Sequence, residues 1–201
     1  MCRGPRAELL TSRCARFPLA ERLRSAGGAP LGEVFTFLSG LYFRGKLRYA
    51  RAFARPPVTL AGGGVLVITP HAGLQPADAP VTAADLRAAA RVDIQVDNRR
   101  YRRPLEATGR AVAELAGPAC DVVLLGSVAS PKYVDVLGAI FGDRLRFPID
   151  FVGRGDMSRG GLMLRCVSED HELEYVPVTS AVSRHGPRPP KLPRLSRPAS
   201  V

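Results

Sequence analysis

The sequence predicts a three-layer α/β domain with a mostly parallel central sheet and a C-terminal β-hairpin, on three observations. First, 65–69 and 122–125 are short apolar runs bounded by glycine, proline or aspartate, as in strands buried on both faces, and 145–149 follows as a third strand. Second, apolar residues between these runs recur at three- and four-residue steps, as helices packed on a sheet require. Third, the runs at 162–167 and 173–178 flank the polar segment 168–172 and read as a hairpin, although a helix after Ser158 fits the first of them too.

The elements follow in order. Residues 1–17 lack periodicity, and 19–25 hold one or two helical turns ended by Gly27, Gly28 and Pro30. From 33 to 53 an apolar stripe (Val34, Phe37, Leu38, Leu41, Tyr42, Leu47, Tyr49, Ala50, Phe53) predicts a helix over 42–54, after an interruption at Gly40 and before Pro56 and Pro57. The strand 65–69 runs into a polar phrase carrying His71. Thr82 and Asp85 have the spacing of a capping box for a helix over 83–90. The basic segment 98–104 precedes a helix over 105–115. The strand 122–125, a turn at Gly126 and Ser127, and a helix over 133–141 form the centre of the chain. The strand 145–149 leads to a loop at 151–161 with four glycines and two arginines.

Composition bounds the possibilities. A chain of 201 residues with 46% hydrophobic content is long enough to bury a core without staples. It has no apolar run near the ~18 residues that a membrane span needs, and no secretion signal is recognisable after the N-terminal arginines. Cys2, Cys14, Cys120 and Cys166 are scattered with no C-x-x-C, which argues against a metal site and fits a reduced cytoplasm. The net charge of +11 is uneven. Residues 1–30 hold six arginines against two glutamates, and 180–201 hold four arginines and a lysine with no acid. The expected layout is a basic, partly disordered extension at 1–30, one domain at 31–179, and a disordered Pro/Arg-rich tail at 180–201.

Candidate functional residues sit in polar, glycine-bearing phrases beside these elements. In α/β sheets ligands bind beyond the strands' carboxyl ends, where helix N-termini offer free amides. Gly126 and Ser127 occupy such an edge, with Lys132, Tyr133 and Asp135 opening the next helix; the same residues also read as a bare strand-to-helix turn. Around Gly40 and Gly45, Ser39, Tyr42, Arg44 and Lys46 offer a pocket wall and cations, or else a solvated basic face. In 151–161, Gly153, Gly155, Arg154, Ser158 and Arg159 supply amides and guanidinium forks for an anion. The loop lacks the Walker lysine-serine ending and lacks G-x-G-x-x-G, so no ATP or dinucleotide site is predicted and no cofactor is expected. His71, just after a strand, suits a general base or a structural hydrogen-bonder.

Four phrases together resemble an uncharacterised bacterial α/β domain family of unknown function. They are SGLYFRGKLRYARAF at 39–53, VITPHAGLQPAD at 67–78, GSVASPKYVDVL at 126–137 and FVGRGDMSRGG at 151–161. They occur in the family's order and cover about 33–165. Thr69, Pro70 and His71 replace the family's S-A-K piece, Val136 replaces its proline after the aspartate, and the glycine-rich phrase is longer. The resemblance implies a three-layer α/β fold with the four phrases meeting at one strand edge, distantly like nucleotide- or nucleobase-handling folds. The family has no established activity to transfer.

The expected function is an enzyme acting on a nucleotide, nucleobase or nucleic-acid substrate. Arg44, Lys46, Ser127, Arg154, Ser158 and Arg159 would hold phosphate, and Ser39, Tyr42, Gly126, Gly153 and Gly155 would shape the pocket. His71 or Asp135 would move protons, and Lys132 or Tyr133 would stabilise charge. The alternative is a non-catalytic nucleic-acid-binding module using the basic ends and the cluster from Arg99 to Arg103, with Tyr101 placed to stack on a base. A partner-binding role without a ligand is the third possibility.

Overall fold

The computed structural model describes residues 2–60, 62–128, 131–179 and 189–190. Helix dominates, at 54% against 12% strand, and the strands form only small sheets. The elements are α1 (Pro5–Thr11), α2 (Pro18–Arg24), β1 (Ala29–Pro30), α3 (Leu31–Ser39), α4 (Leu41–Phe53), β2 (Leu66–Thr69), β3 (Gly73–Pro76), β4 (Pro80–Val81), α5 (Ala83–Ala90), α6 (Arg99–Ala116), β5 (Val122–Val123), α7 (Pro131–Phe141), β6 (Leu145–Pro148), α8 (Asp156–Ser168) and β7 (Tyr175–Pro177), with 3-10 turns at Gly62–Gly64, Gly142–Arg144 and Ile149–Phe151.

The expected large parallel sheet is absent among the described residues. Strands β1 and β4 pair antiparallel, β2 and β3 form an antiparallel hairpin, and β6 lies between β5, parallel, and β7, antiparallel. The local cause is visible at the end of β2. The Thr69 hydroxyl accepts from Ala72 N at 3.2 Å and donates to Gly73 O at 2.9 Å. Gly73 takes φ +67°, a conformation that favours glycine. The chain therefore folds back on itself instead of crossing over to a parallel neighbour. A side chain at Gly73 would meet Pro104 O and Thr108 Oγ1, so the hairpin lies directly on α6, where Leu74 N donates to Thr108 Oγ1 at 2.9 Å.

The first arm of the expected C-terminal hairpin is helix α8. Its buried residues Gly160, Met163 and Cys166 recur every third position, a helical spacing. Asp156 stands in its first turn, where a carboxylate complements the helix dipole. The second arm, β7, pairs with β6. Helix α6 begins ahead of Pro104, because the Asn98 side chain caps it by accepting from Arg100 N at 3.1 Å. The basic segment expected as a loop is thus the first turn and a half of α6. Helix α5 carries the predicted capping box, with Asp85 Oδ2 accepting from Thr82 N at 2.8 Å.

Three apolar clusters make the interior. The first gathers Leu10, Leu23, Leu31, Val34, Phe35 and Leu86. Residues 5–11 and 18–24, read from sequence as part of a partly disordered extension, form α1 and α2, and their Leu10 and Leu23 are fully buried. The second cluster packs Tyr101 and Leu105 of α6 against Val134, Leu137 and Phe141 of α7 and Leu145 and Phe147 of β6. The third sits between α4 and α8 and holds Tyr49, Phe53, Phe151, Met163, Cys166 and Leu173. It carries a hydrogen-bond chain: Tyr175 Oη donates to Glu172 Oε1 at 3.0 Å, so Tyr49 Oη donates to Tyr175 Oη at 2.6 Å while accepting from Leu173 N at 2.8 Å. Of the predicted tail, only Pro189 and Pro190 fall within the described residues.

Candidate anion-binding site

Helices α4 and α8 cross at two glycines. A Cβ on Gly45 would lie 2.7 Å from Gly160 O, and one on Gly160 would lie 2.9 Å from Tyr42 Cα. Only glycine at both positions allows this approach. It brings the polar residues one turn either side of the crossing, Tyr42 and Lys46 on α4 and Asp156 and Arg159 on α8, into one electrostatic neighbourhood. Tyr133, at the start of α7, completes it from the second cluster and acts on Tyr42.

The groups at this crossing are perturbed in a consistent way. Burial lowers Lys46 from 10.5 to about 8; Arg159 pushes it the same way and Asp156 opposes. Its Nζ lies 3.9 Å from the centroid of the Tyr42 ring, a cation–π contact that partly replaces lost hydration. The Tyr42 phenol is raised, first by burial, with Arg159 pulling it down. Although Arg159 is near enough for that effect, no hydrogen bond of good geometry reaches Tyr42 Oη, which is buried and unpartnered. Tyr133 is raised by burial. Arg159 donates from Nε and Nη2 to Phe151 O at 3.1 and 2.9 Å and stacks over the Phe151 ring at 5.4 Å. Those bonds fix the guanidinium plane without neutralising its charge. Neither Lys46 nor Arg159 has a carboxylate within ion-pair distance among the described residues.

The predicted residues divide accordingly. Tyr42, Lys46, Tyr133 and Arg159 converge at the crossing. Arg44 lies between Tyr42 and Lys46 in sequence and is exposed, since a two-residue step turns it to the other side of the helix. Ser39 ends α3, half-buried. Gly126 and Ser127 follow β5 and are half-buried; the neighbouring Leu125 packs, like Tyr42, on the third cluster. Lys132 holds its Nζ 5.2 Å from the Tyr133 ring centroid, and its carbonyl accepts from Tyr101 Oη at 2.8 Å. Asp135 is exposed on α7.

Gly153 takes φ +71° and Gly155 is the N-cap of α8, so both turn the chain into the helix. Ser158 is half-buried in its first turn. Arg154 donates to Asp150 O at 2.9 Å, with its Nη1 buried and unpartnered. His71 is elsewhere: it lines a cavity with Leu31, Val34, Phe35 and Asp85, to which α4, α7 and α8 contribute nothing. Tyr101, placed by the sequence among arginines, is 0% exposed and cannot stack on a base. Sequence reasoning missed Asp156 and Gly160 as site-building residues, and read Gly45 as room for a ligand where it admits a second helix. Glycines facing each other across two helices have no local signal, because neither spacing nor composition tells which helices meet.

No protein-family model matches the chain, and no curated protein or solved structure matches it. The resemblance carried by the four phrases therefore rests on those phrases alone, and the three-layer α/β fold it implied is not present among the described residues. No helix among the described residues is long and apolar enough to cross a membrane.

Proposed function

We propose that the protein binds a small phosphate-bearing ligand, of the nucleotide class, where α4, the start of α7 and α8 meet, and acts on it as an enzyme. The observation that carries this is the pairing of two cations, Lys46 and Arg159, beside the unpartnered Tyr42 hydroxyl, with no carboxylate within ion-pair distance of either among the described residues and Asp156 acting on Lys46 from farther off. Burial is what disfavours the Lys46 charge most, with Asp156 offsetting the push from Arg159, and an anion bound beside the ammonium would relieve that desolvation. A guanidinium already oriented by Phe151 O presents its remaining N–H groups to phosphate oxygens, and the tyrosine hydroxyl can donate to another. Of the cluster's groups, Lys46 at about 8 is the one poised to exchange a proton near neutral pH. It takes the proton-transfer role that the sequence assigned to His71 and Asp135.

A thermal-shift panel tests this. Inorganic phosphate and nucleoside mono- and triphosphates should raise the Tm at pH 7, and unphosphorylated nucleosides should not. Lys46→Met and Arg159→Gln should each lose the shift. Binding should weaken as pH rises through about 8, where Lys46 gives up its charge. A panel in which no phosphate compound moves the Tm contradicts the proposal.

A non-catalytic nucleic-acid role draws on a different face. Arg99, Arg102, Arg103 and Arg110 lie along one side of α6, all exposed, and only Arg102 is ion-paired among them, to Glu106 at 2.6 Å. Such a stripe meets phosphates without reading bases. Affinity for single-stranded DNA that falls steeply with salt, and falls further in Arg99→Gln/Arg103→Gln while Lys46→Met leaves it unchanged, would favour this role.

A further inference from the structure

We infer that the cavity beside His71 is a second, separate binding site, for a small uncharged compound with a monocyclic or short apolar body and one hydroxyl group, such as a phenol. The cavity measures about 160 Å³. Apolar side chains from α3 and α5 make most of its wall, among them Leu31, Val34, Phe35, Leu86 and Ala89. An apolar space of about 150 Å³ takes a ligand the size of benzene, and an apolar wall with few polar groups is what small-molecule sites share.

Several polar groups at the cavity are committed elsewhere. The Thr69 hydroxyl donates to Gly73 O at 2.9 Å, and Gln75 Nε2 donates to Ala72 O at 2.8 Å. Asp85 Oδ2 accepts from Thr82 N and Thr82 Oγ1 at 2.8 and 2.7 Å as part of the α5 cap. Of the buried side-chain polar atoms at the cavity, Nδ1 of His71 is the one with no hydrogen-bond partner among the described residues. An orphan of this kind favours any guest that supplies the missing bond. A hydroxyl both donates and accepts, so it satisfies Nδ1 in either tautomer of the imidazole. The Asp85 carboxylate at the same wall repels an anion, so a phosphate ligand is excluded here and the guest is uncharged. This site is independent of the α4–α8 site, which contributes no residue to it.

Phenol and toluene, nearly equal in shape, separate the hydroxyl from the ring. Titrations followed by methyl NMR signals of Leu31, Val34 and Leu86 should show both binding, with phenol about three- to tenfold tighter, the worth of one net hydrogen bond. His71→Phe should erase phenol's advantage while toluene still binds, and His71→Leu serves the same purpose if the phenylalanine variant does not fold. Ala89→Leu should fill the cavity and block both compounds, and Lys46→Met should change neither. The assignment is overturned if neither compound shifts those methyls, if the two bind equally in the natural protein, or if phenol keeps its advantage without the histidine.

Discussion

Lys46 is the residue on which the proposed site's chemistry turns. Burial holds its ammonium at about 8 rather than 10.5. Between those two values the unfolded chain keeps a proton that the native chain has released, so stability rises with pH across that window. The upper bound of that gain is roughly 3 kcal/mol from the size of the shift, reduced by the water that reaches the half-buried side chain. Above pH 10 the buried phenols of Tyr42, Tyr101 and Tyr133 work the other way. They are raised by burial, so the native state holds protons that the unfolded state loses, and stability falls. Urea unfolding at pH 7 and 9.5 should show Lys46→Met more stable than the natural protein at pH 7, with the margin shrinking at pH 9.5. Equal stabilities at both pH values would mean that Lys46 is well solvated. At this scale the sequence was informative about residue type and blind to company. Lys46 and Arg159 are read from sequence as cations for an anion and Tyr42 as a pocket wall, and the three lie together in the structure, whereas His71, in an equally polar phrase, belongs to another cavity.

At the scale of elements, local signals were read well and partners were not. The capping box of α5, the stripe of α4 and the period of α7 are written within a dozen residues each, and the helices form where those patterns predict. Pro104 misled because proline discourages a helix interior, whereas the turn ahead of it is held by the Asn98 cap together with the buried Tyr101 and its bond to Lys132 O. The run at 65–69 misled because an apolar strand in a hairpin and one in a parallel sheet look alike. The glycine crossing gives a sharp prediction. In Gly45→Ala or Gly160→Ala the new methyl meets backbone, at 2.7 and 2.9 Å respectively, and cannot be relieved by a rotamer change. Overpacking of about 1–3 kcal/mol should exceed the ~1 kcal/mol that alanine contributes to helix propensity. Both variants should unfold at lower urea concentration and lose phosphate binding as the helices part; an unchanged midpoint would mean that the helices do not touch there. A milder test addresses the tyrosine chain. Tyr175→Phe leaves Tyr49 Oη without its acceptor and Glu172 Oε1 without its donor, while Glu172 Oε2 keeps its ion pair with Arg55, and should cost about 1–3 kcal/mol.

For the whole molecule, the main surprise is where the core extends. The arginine-rich start of the chain was read by its charge, yet Leu10 and Leu23 between those arginines are 0% exposed and belong to the first apolar cluster. The arginines stay outside and still work locally, as where Arg24 donates to Ser12 O and Ala15 O at 2.8 and 2.6 Å. Leu23→Ala should therefore destabilise by roughly 2–5 kcal/mol, as for other buried leucines; a change below ~0.5 kcal/mol in urea unfolding would return this segment to the status of an appendage. The sheet expectation failed at this scale for a related reason. Strand runs are short-range signals, while their pairing depends on which helices cover them, and here α6 lies on the β2–β3 hairpin while α7 and β6 share the second cluster.

The most direct test of the anion site is the titration of Lys46 itself, followed by NMR of its side-chain Cε and Nζ in the natural protein with and without saturating inorganic phosphate. The midpoint should lie near 8 in the free protein and move upward when phosphate binds, because an anion beside the ammonium favours its charged form. A Lys46 midpoint that stays where it was while phosphate binds, or one that already sits at the ordinary value of a solvated lysine, would contradict the account.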